Sequence, residues 1–490
     1  MLLKTLVEAC DSGNLGGLPE GAGDVLVTGV SNDSRLVRPG NLYVAVKGFE
    51  SNGEEYISDA LERGASVVVR ESAVNVNGHI EIDAKNARLA LAELSSRYNG
   101  RPDDRLYITG ITGTNGKTTT AYLLYRAFEY SGRLPGLLST VEYRIGERII
   151  PASRTTLDAP SLHKTFDDML NARCLSVIME VSSHALDQDR TAFVDFDVAV
   201  FTNLTRDHLD YHGTMQEYFE VKKKLFLGLG KGEKSASAVI NSDDEWGRKL
   251  LASEDIIADK ISYSIDGDAA VRVEDLFLSP AGISFMVKSP WGTGKVSSNL
   301  LGKHNASNLL AAVSVCCAAG VSIGDACESL SGSVYVPGRL EQVRVEGAVA
   351  QVFVDYAHTD DALEKVLVTL KGIADRRLIV VFGCGGERDK SKRPAMGKVA
   401  GLWADYCIVT SDNPRGEDPM AIIEDIKVGL NGSANYEVEV DRRAAIRKGL
   451  LLAEKGDVLL IAGKGHEGFQ ELEHTTVPFD DRQVIREEIS

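Results

Sequence analysis

With 490 residues the chain is long enough for about three domains, and its composition of 43% hydrophobic and 26% charged residues is ordinary for a globular protein. No apolar run approaches the ~18 residues needed to span a bilayer, and the first residues turn acidic too soon for a signal peptide. A formal net charge of −17 disfavours general nucleic-acid binding, while seven cysteines without a Cys-x-x-Cys pair favour a reducing cytoplasm over a disulfide framework or a structural zinc site.

Residues 1–98 are predicted to form a small α/β unit. Its elements are a strand at 41–46, a helix near 56–63, a strand at 65–69 and a helix at 87–98. The segment Asp33-Ser34-Arg35 lies beside a Pro-Gly turn, and its residues alone favour a loop brace over a functional site. An Asn-Gly-Arg-Pro-Asp-Asp linker near residue 99 ends the unit.

A glycine-rich loop opens the second unit, residues 99–335. A short strand at 106–108 leads into this loop, and Lys117 then starts a helix. In such a loop, backbone N–H groups approach phosphates, the helix N-terminus adds partial positive charge, and the Lys-Thr pair reaches the terminal phosphates and Mg²⁺. The strict eight-residue pattern fails at Ile111, and the alternative is a Gly-rich turn that happens to precede Lys-Thr. The predicted nucleotide contacts are Gly113, Thr114, Asn115, Gly116, Lys117, Thr118 and Thr119.

The rest of the second unit is predicted to be a largely parallel sheet. Strands at 176–180, 198–202 and 238–241 lie near Gly- or Asp-rich turns, with helical stretches between them. Glu180 ends the first of these strands, where a carboxylate can bind Mg²⁺ beside a phosphate-binding loop. Asn305 and Asn308 are predicted to precede a helix of small residues at 309–319.

Metal-capable side chains are dense between residues 207 and 212, and a run of three lysines begins at Lys222. Two interpretations stay open from the residues alone. His208 is either a metal ligand or a capping or core histidine, and the lysine run is either functional or a solvated helix face.

The third unit, residues 336–490, is predicted to be a Rossmann-like, doubly wound sheet. Four apolar strands each end in polar, ligand-type residues, and in such sheets ligands bind outside the carboxyl ends of the strands. The strand ends are Asp355-Tyr-Ala-His358, Gly383-Cys-Gly-Gly386 with Arg388 after it, Asp412-Asn413-Pro414-Arg415, and Gly463-Lys-Gly-His-Glu467.

Over nearly its whole length, the sequence resembles the Mur ligases, the ATP-dependent amide-forming enzymes of peptidoglycan precursor synthesis, which function in cell-wall biogenesis, cell shape and cell division. It resembles most the member that adds the third peptide residue. The motifs that carry the resemblance, besides the strand ends of the third unit, are Gly113-Thr-Asn-Gly-Lys-Thr118, Thr155-Thr-Leu-Asp-Ala-Pro160, Glu180-Val-Ser-Ser-His184 and Asn203-Leu-Thr-Arg-Asp-His208.

The resemblance implies a three-domain α/β protein that activates a carboxylate with ATP as an acyl phosphate, which an amine then attacks. Lys117 would stabilise the moving phosphoryl group, Thr118 and Glu180 would bind one Mg²⁺, and His208 would help bind a second. Lys222 would carry a carbamate made with CO₂, and Lys223 and Lys224 are off register for that role. The remaining nucleotide contacts would be Asn305, Asn308, Arg339, Asp355 and His358.

The resemblance also implies three small-molecule substrates: ATP, UDP-MurNAc-L-Ala-D-Glu and meso-diaminopimelate. The muropeptide would contact Ser34 at its uridine end and otherwise Thr155, Thr156, Ser182, Gln188 and Arg190. Diaminopimelate would contact Arg388, Asp412, Asn413, Pro414, Arg415, Gly463 and Glu467. We further expect a monomer that neither binds nucleic acid nor enters a membrane.

The preference for meso-diaminopimelate over L-lysine is predicted from charge. The two differ by a carboxylate at the far end, which the guanidinium of Arg415 can grip bidentately, with Arg388 as a second cation. Glu467 and Asp412 would hold the distal ammonium. Lysine would leave Arg415 without a partner, which is expected to cost about 2–5 kcal/mol; a structural ion pair that braces the turn is the alternative for Arg415.

One motif departs from the family pattern, because Asp360 stands where a proline usually follows His-Thr, and this is expected to loosen the turn. Two other classes of protein share parts of this pattern. Folylpolyglutamate synthetase has a similar loop and carbamylated lysine but no such N-terminal domain. A GTPase switch or transport ATPase would need an Asn-Lys-x-Asp or an ABC-type signature, and the sequence has neither.

Overall fold

The computed structural model describes residues 1–48, 51–72, 79–344, 349–430 and 435–489. In these ranges the strands form three sheets of four, eleven and six strands and one two-stranded hairpin. No helix in these ranges is both long and apolar enough to cross a membrane.

The N-terminal sheet has four parallel strands in the order β1-β2-β3-β4. Its central strands are buried throughout, because apolar residues pack on both of its faces. The helix predicted at 87–98 has those bounds in the structure. The elements are β1 (Gly29–Ser31), β2 (Asn41–Val44), β3 (Val67–Arg70), β4 (Ile80–Asp83), α1 (Leu3–Glu8), α2 (Ile57–Glu62), α3 (Ala87–Tyr98) and 3₁₀ turns at Ala22–Asp24, Ser34–Leu36, Gly53–Tyr56 and Pro102–Arg105.

The central sheet has eleven strands in the order β15-β14-β13-β12-β11-β10-β5-β9-β6-β7-β8. Its strands are β5 (Tyr107–Thr112), β6 (Pro135–Leu138), β7 (Glu142–Ile145), β8 (Arg148–Pro151), β9 (Ser176–Glu180), β10 (Val198–Phe201), β11 (Ser237–Asn241), β12 (Asp259–Ser264), β13 (Val271–Ser279), β14 (Gly282–Ser289) and β15 (Gly292–Ser298). Its helices are α4 (Lys117–Tyr130), α5 (Ala159–Asn171), α6 (Ser183–Asp187), α7 (Leu209–His212), α8 (Met215–Gly228), α9 (Glu245–Ala252), α10 (Lys303–Ala318) and α11 (Ile323–Ser329).

The prediction of a largely parallel sheet is right for its middle, where β12, β11, β10, β5, β9 and β6 are all parallel. Both ends are antiparallel: β7 and β8 extend one side, and on the other side β13, which is parallel to β12, pairs with β14 and β15 in antiparallel fashion. These end strands are partly exposed, and their alternating pattern is weaker than the continuous apolar runs from which strands were predicted.

The helix predicted at 309–319 was placed too late. Helix α10 begins at Lys303, so Asn305 and Asn308 lie inside its first two turns rather than before it. Both side chains are buried, and Asn308 Nδ2 donates to Asn305 Oδ1 at 3.0 Å. The prediction failed because polar residues were assigned to a loop, whereas here they form the face of the helix that packs against the glycine-rich loop.

The third sheet has six strands in the order β16-β17-β21-β18-β19-β20, parallel except for β16. Its strands are β16 (Glu341–Gln342), β17 (Gln351–Asp355), β18 (Leu378–Phe382), β19 (Tyr406–Val409), β20 (Asn435–Val438) and β21 (Val458–Ala462), followed by the hairpin β22 (Phe469–Leu472) and β23 (Thr475–Pro478). Its helices are α12 (Asp360–Lys371), α13 (Lys392–Trp403), α14 (Pro419–Leu430), α15 (Arg442–Leu452) and α16 (Asp481–Ile489).

Parallel strands place the predicted strand-end motifs at one edge of this sheet. The turn before α12 is not loosened by the missing proline. Thr359 caps the helix by accepting a hydrogen bond from Ala362 N, and Asp360 lies in the first turn, where a negative charge is favoured by the helix dipole. Asp360 also forms an ion pair with Arg206 of the central unit at 3.0 Å.

Candidate active site

The glycine-rich loop joins β5 to α4 and is closely packed. Gly116 has φ +87°, and a Cβ there would lie 2.5 Å from Asn308 Oδ1, so only glycine fits between the loop and α10. The backbone N–H of Asn115 donates to Asn203 Oδ1 at 2.9 Å. The loop conformation therefore depends on two neighbouring segments as well as on its own sequence.

Lys117 is the first residue of α4 and is half-buried rather than an exposed loop lysine. Its Nζ donates to the carbonyl oxygens of Gly113 and Thr114, both at 2.9 Å. Burial lowers the pKa of its ammonium group. It forms no ion pair with a carboxylate in the described ranges, so its charge is available to an anionic ligand.

Glu180, at the end of β9, is fully buried and faces the start of α4. Its Oε2 accepts from Thr118 Oγ1 at 3.0 Å and from Thr140 Oγ1 at 3.1 Å, and its Oε1 accepts from Thr140 N at 2.9 Å. Arg339 Nη2 donates to Thr118 Oγ1 at 3.0 Å, so a cation already lies next to this oxygen pair. Carboxylate and hydroxyl oxygens are the ligands that Mg²⁺ prefers.

Lys222 is buried, with 1% exposure, and this excludes the solvated helix face for that residue. Its Nζ donates to Gly113 O at 3.1 Å and to Thr112 Oγ1 at 3.3 Å. Gly113 O also accepts from Lys117, so two lysine side chains share one carbonyl oxygen. Burial, with Lys117 nearby, lowers the pKa of Lys222 well below its ordinary value. Lys223 is half-buried and pairs with Asp255, whereas Lys224 lies at the surface with a 47% exposed side chain.

His208 precedes α7 in a left-handed conformation, with φ +54°. Its Nε2 lies 3.3 Å from Asp207 Oδ2, and its ring centroid is 4.9 Å from that of His184. Its side chain is 40% exposed, which excludes the core histidine. Among the described residues, no group of three or more His, Cys, Asp or Glu side chains is arranged to hold a metal ion. Any metal here would need hydroxyl oxygens or ligand oxygens as well.

A cleft of about 580 Å³ lies between the central and third sheets. Every predicted nucleotide contact except Gly113 lines it, together with Glu180, His208, Thr155 and Ser182. The sequence prediction missed other lining residues, of which Asn203 and Asp207 lie inside a motif that had been singled out. The further missed residues include Asn241, Asp243, Lys303, Tyr356 and Lys365.

The third unit contributes Arg339, Asp355 and His358 to this cleft. The Arg339 guanidinium lies over the Tyr356 ring, 4.4 Å from its centroid. Asp355 accepts hydrogen bonds from Leu340 N and Ala357 N, and burial raises the pKa of its carboxyl group.

Direct contacts close the cleft at the glycine-rich loop. Asn115 Nδ2 donates to Asp361 Oδ2 at 2.7 Å, and Thr205 Oγ1 donates to the same oxygen at 3.2 Å. Lys365 Nζ also lies 2.7 Å from this oxygen. The first turn of α12 is therefore tied to two loops of the central unit.

The candidate muropeptide residues form one hydrogen-bond network beside Glu180. Thr156 Oγ1 donates to Glu180 O at 2.9 Å and lies 3.3 Å from Ser182 Oγ. Arg190 Nη1 donates to Thr156 O at 3.1 Å, and its Nη2 donates to Gln188 Oε1 at 2.6 Å. Thr140 connects Thr155 to the side-chain carboxylate of Glu180, since its hydroxyl lies within hydrogen-bond distance of both.

Ser34 lies apart from this network in the N-terminal unit, buried in a 3₁₀ turn. The neighbouring Arg35 donates to the Asp33 carboxylate through Nε and Nη2, at 2.9 and 2.7 Å. This is the loop brace expected from the residues alone, and a role for Ser34 in ligand binding stays a prediction.

A second polar cluster lies at the edge of the third sheet around Lys464, which the sequence prediction did not single out. Its fully buried Nζ donates to Asn413 Oδ1 and to Glu467 Oε2, both at 2.9 Å. Gly463 has φ +115°, and a Cβ there would lie 2.5 Å from Asp412 Oδ2, so this glycine permits the close approach. That oxygen is buried and has no hydrogen-bond partner among the described residues.

Arg415 follows the buried Pro414 in this cluster, but it is not without a partner. Its Nε lies 2.7 Å from Glu471 Oε2, and its Nη1 donates to Gly386 O at 2.9 Å. The assumption that a lysine substrate would leave Arg415 unpaired is therefore wrong. The free-energy cost of binding lysine instead of diaminopimelate must be smaller than the one expected for an unpaired Arg415. Arg388 is exposed, and its Nη1 donates to Glu387 O.

A glycine-rich loop at the start of a helix, facing a Rossmann-like sheet across a polar cleft, is typical of nucleotide-dependent enzymes. Three family models match the chain: "Mur ligase family, catalytic domain" at residues 26–99, "Mur ligase middle domain" at 111–316 and "Mur ligase, glutamate ligase domain" at 338–465. The chain belongs to the Mur ligase family.

Relatives narrow this further. The chain is 43% identical over 478 residues to the UDP-N-acetylmuramoyl-L-alanyl-D-glutamate–2,6-diaminopimelate ligase of Geobacter sulfurreducens, with 93% of each chain covered. It is 42% identical to the ligase of the same name from Oceanobacillus iheyensis, with 100% of this chain and 99% of that one covered. A solved structure of a ligase with this name has a TM-score of 0.68 and 35% identity over 94% of each chain.

A folylpolyglutamate synthase from Mycobacterium tuberculosis, solved with ADP and AMPPCP, shares the fold with a TM-score of 0.63 and 20% identity. The matched region covers 76% of this chain and 92% of the synthase chain.

Proposed function

We propose that this Mur ligase is an ATP-dependent acid–amino-acid ligase that joins meso-2,6-diaminopimelate to the D-glutamyl carboxylate of UDP-MurNAc-L-Ala-D-Glu and releases ADP and phosphate. The observation that carries the proposal is the single cleft lined by the glycine-rich loop, by Thr155 and Ser182, and by Arg339 and His358. ATP and the carboxylate that accepts its phosphoryl group must meet in such a cleft for the transfer to take place.

The chemistry begins with activation of a carboxylate, which is too poor an electrophile to react with an amine in water. Attack of the D-glutamyl oxygen on the γ-phosphorus of ATP gives an acyl phosphate and ADP. The amine then attacks the acyl carbon, and phosphate leaves from the tetrahedral intermediate. Lys117 and Arg339, which form no ion pair with a described carboxylate, neutralise charge on the moving phosphoryl group.

The residues around Glu180 fit Mg²⁺, because a buried carboxylate and the Thr118 hydroxyl supply hard oxygen ligands where the phosphates would lie. When bound, the ion offsets phosphate charge and orients the γ-phosphoryl group. His208, which has Asp207 beside it, would help to hold a second ion.

Lys222 is proposed to carry a carbamate. Two ammonium groups that share Gly113 O in a buried site repel each other, and conversion of one to an anion removes the conflict. The low pKa of Lys222 supplies the neutral amine that adds to CO₂. The resulting oxygens would turn a cation into a metal ligand beside the phosphate loop.

The division into domains is proposed to run at residues 1–98, 99–335 and 336–490, with the uridine end, ATP and the amino acid on successive domains. Two features support it: each range contains one of the three sheets, and the three family models match in the same order. Closure of the third domain on the second would bring the amine to the acyl phosphate. We also propose a cytoplasmic monomer, a location consistent with seven free cysteines.

Phosphate release tests this function. The purified protein is supplied with ATP, Mg²⁺ and UDP-MurNAc-L-Ala-D-Glu, and with a panel of amino acids added one at a time. The expected result is stoichiometric phosphate and tripeptide product with meso-diaminopimelate, and neither when the muropeptide is left out. Phosphate release that needs no muropeptide would refute the ligase assignment, while efficient turnover with L-lysine alone would refute only the choice of amino acid.

A further inference from the structure

Glu471 lies outside every sequence motif and is the ion-pair partner of Arg415. It belongs to β22 of the hairpin that follows the third sheet. Its Oε2 lies 2.7 Å from Arg415 Nε as an ion-pair contact, and this oxygen accepts no hydrogen bond from any described residue. We propose that Glu471 is a positioning residue for the amino-acid substrate, which holds the Arg415 guanidinium in the orientation that receives the distal carboxylate. The inference rests on the proposed function.

Both backbone polar groups of Glu471, its N–H and its carbonyl oxygen, form hydrogen bonds with the Asp412–Arg415 turn. Arg415 N donates to Glu471 O at 3.2 Å, and Glu471 N donates to Asn413 Oδ1 at 3.1 Å. The preceding residue, Gln470, donates from Nε2 to Asp412 O at 2.6 Å. The hairpin thus holds the Asp412–Arg415 turn through three contacts, independently of the ion pair.

The ion pair matters because the turn alone does not fix the guanidinium. Arg415 has φ +52°, a left-handed conformation that is unfavourable for a residue with a side chain, so surrounding contacts must hold it. Its long side chain is 22% exposed and has several rotatable bonds. A guanidinium held in advance loses less freedom when a ligand binds, which strengthens binding without a new contact.

The geometry leaves the receiving edge of the guanidinium open. Glu471 approaches Nε, and Gly386 O accepts from Nη1. No hydrogen bond from Nη2 is found within the described ranges of the chain. Of the five N–H donors of the guanidinium, one on Nη1 is used by Gly386 O, and Glu471 lies beside Nε without accepting a hydrogen bond, so both Nη2 N–H groups remain for a planar carboxylate. Glu471 therefore lies beside Nε and leaves the Nη2 end of the guanidinium accessible to a ligand.

A double-mutant cycle tests this role. Four proteins are compared, the unaltered chain, Glu471→Gln, Arg415→Ala and the double variant, by the kcat and the KM for diaminopimelate, ATP and the muropeptide. Glu471→Gln keeps the size of the side chain and removes its charge. We expect its KM for diaminopimelate to rise roughly five- to tenfold, with kcat at saturation and the other two KM values unchanged.

On the Arg415→Ala background the same substitution is expected to have no further effect, because Glu471 acts through Arg415. Glu473→Gln, on the same hairpin and exposed beside His474, is the matched control and should match the unaltered protein. Glu471→Asp, which keeps the charge on a shorter side chain, should recover part of the loss.

Two outcomes would overturn the proposal. A lower KM for diaminopimelate in Glu471→Gln would mean that Glu471 competes with the substrate carboxylate for Arg415. An equal loss with and without Arg415 would mean that the hairpin merely supports the turn. Failure of the proposed function is distinguishable, because the unaltered protein itself would then show no turnover that depends on diaminopimelate.

Discussion

The two polar clusters of this protein treat their cations in opposite ways. Around the glycine-rich loop, Lys117 and Arg339 contact carbonyl and hydroxyl oxygens, and neither forms an ion pair with a described carboxylate. At the edge of the third sheet, Lys464 is paired with Glu467 and Arg415 with Glu471. The cations of the first site have no carboxylate partner, whereas those of the second site are already paired with carboxylates in the absence of a ligand.

The difference corresponds to the ligands proposed for each site. ATP and a carboxylate bring several negative charges, and unpaired cations give the stabilisation that a phosphoryl transfer needs. Diaminopimelate brings equal numbers of ammonium and carboxylate groups. A balanced site can exchange its internal pairs for pairs with such a zwitterion, so that selectivity depends on geometry more than on net charge.

The largest expected effect comes from the cleft. Lys117→Ala should lower kcat by about 10³-fold, because the transition-state charge loses its nearest cation. Thermal unfolding should show a folded protein, and Lys249→Ala, a surface lysine paired with Glu245, serves as the control. Near-normal turnover in a folded Lys117→Ala variant would remove the ATP-site assignment.

Lys222→Ala should lower kcat by roughly 10²-fold, since it removes both the proposed carbamate and its metal ligand. Intact-mass measurement at neutral pH, or ¹³C NMR with labelled CO₂, should detect one added CO₂ on the unaltered protein and none on the variant. Lys224→Ala, from the same lysine run but exposed at the surface, should be nearly neutral. An active, metal-loaded enzyme with an unmodified Lys222 would contradict the carbamate; loss of the signal in acid would not, because carbamates are labile.

In the balanced site the expected effect is smaller. Arg415→Ala should reduce the preference for meso-diaminopimelate over L-lysine by about 30-fold, near 2 kcal/mol. This is the lower end of the range for a buried charged contact, because Glu471 already partners Arg415 when lysine binds. The measurement is kcat/KM for both amino acids. An equal loss for both would show that Arg415 only braces the turn.

A stability measurement extends the comparison to a purely structural pair. Arg393 is buried and bonds the Glu417 carboxylate, which lowers the pKa of Glu417 to about 2. Because the folded pKa lies below the unfolded value, this stabilisation is complete above about pH 4.5 and is lost as the pH falls towards 2. Glu417→Gln should therefore cost about 1 kcal/mol in the free energy of unfolding near neutral pH and little at pH 2 to 3. Denaturant titrations across that pH range measure this loss, with Glu424→Gln on the exposed face of α14 as the control. A loss of unfolding free energy that is the same at every pH would show that the charge of Glu417 does not contribute to stability.

Sequence alone determined the features that are written in contiguous residues. The glycine-rich loop before α4, the acidic end of β9 and the polar ends of the third sheet's strands were all found from short motifs and apolar runs. Helix α3 was predicted to the residue, with an Asn-Gly linker after it, and in the structure Asn86 caps its start. Such signals are local, so a single chain carries them in full.

Only the tertiary structure decided which of these segments are in contact, which side chains are buried and which charges are paired. Asn115 and Asp361 are 246 residues apart in the chain but share a hydrogen bond, and no local pattern encodes that pairing. Burial of Lys222, but not of Lys224, follows from the direction in which α8 faces the loop. The partner of Arg415 comes from a hairpin without a motif of its own. Burial and charge pairing are properties of packed surfaces, and they set the chemistry that residue types alone left open.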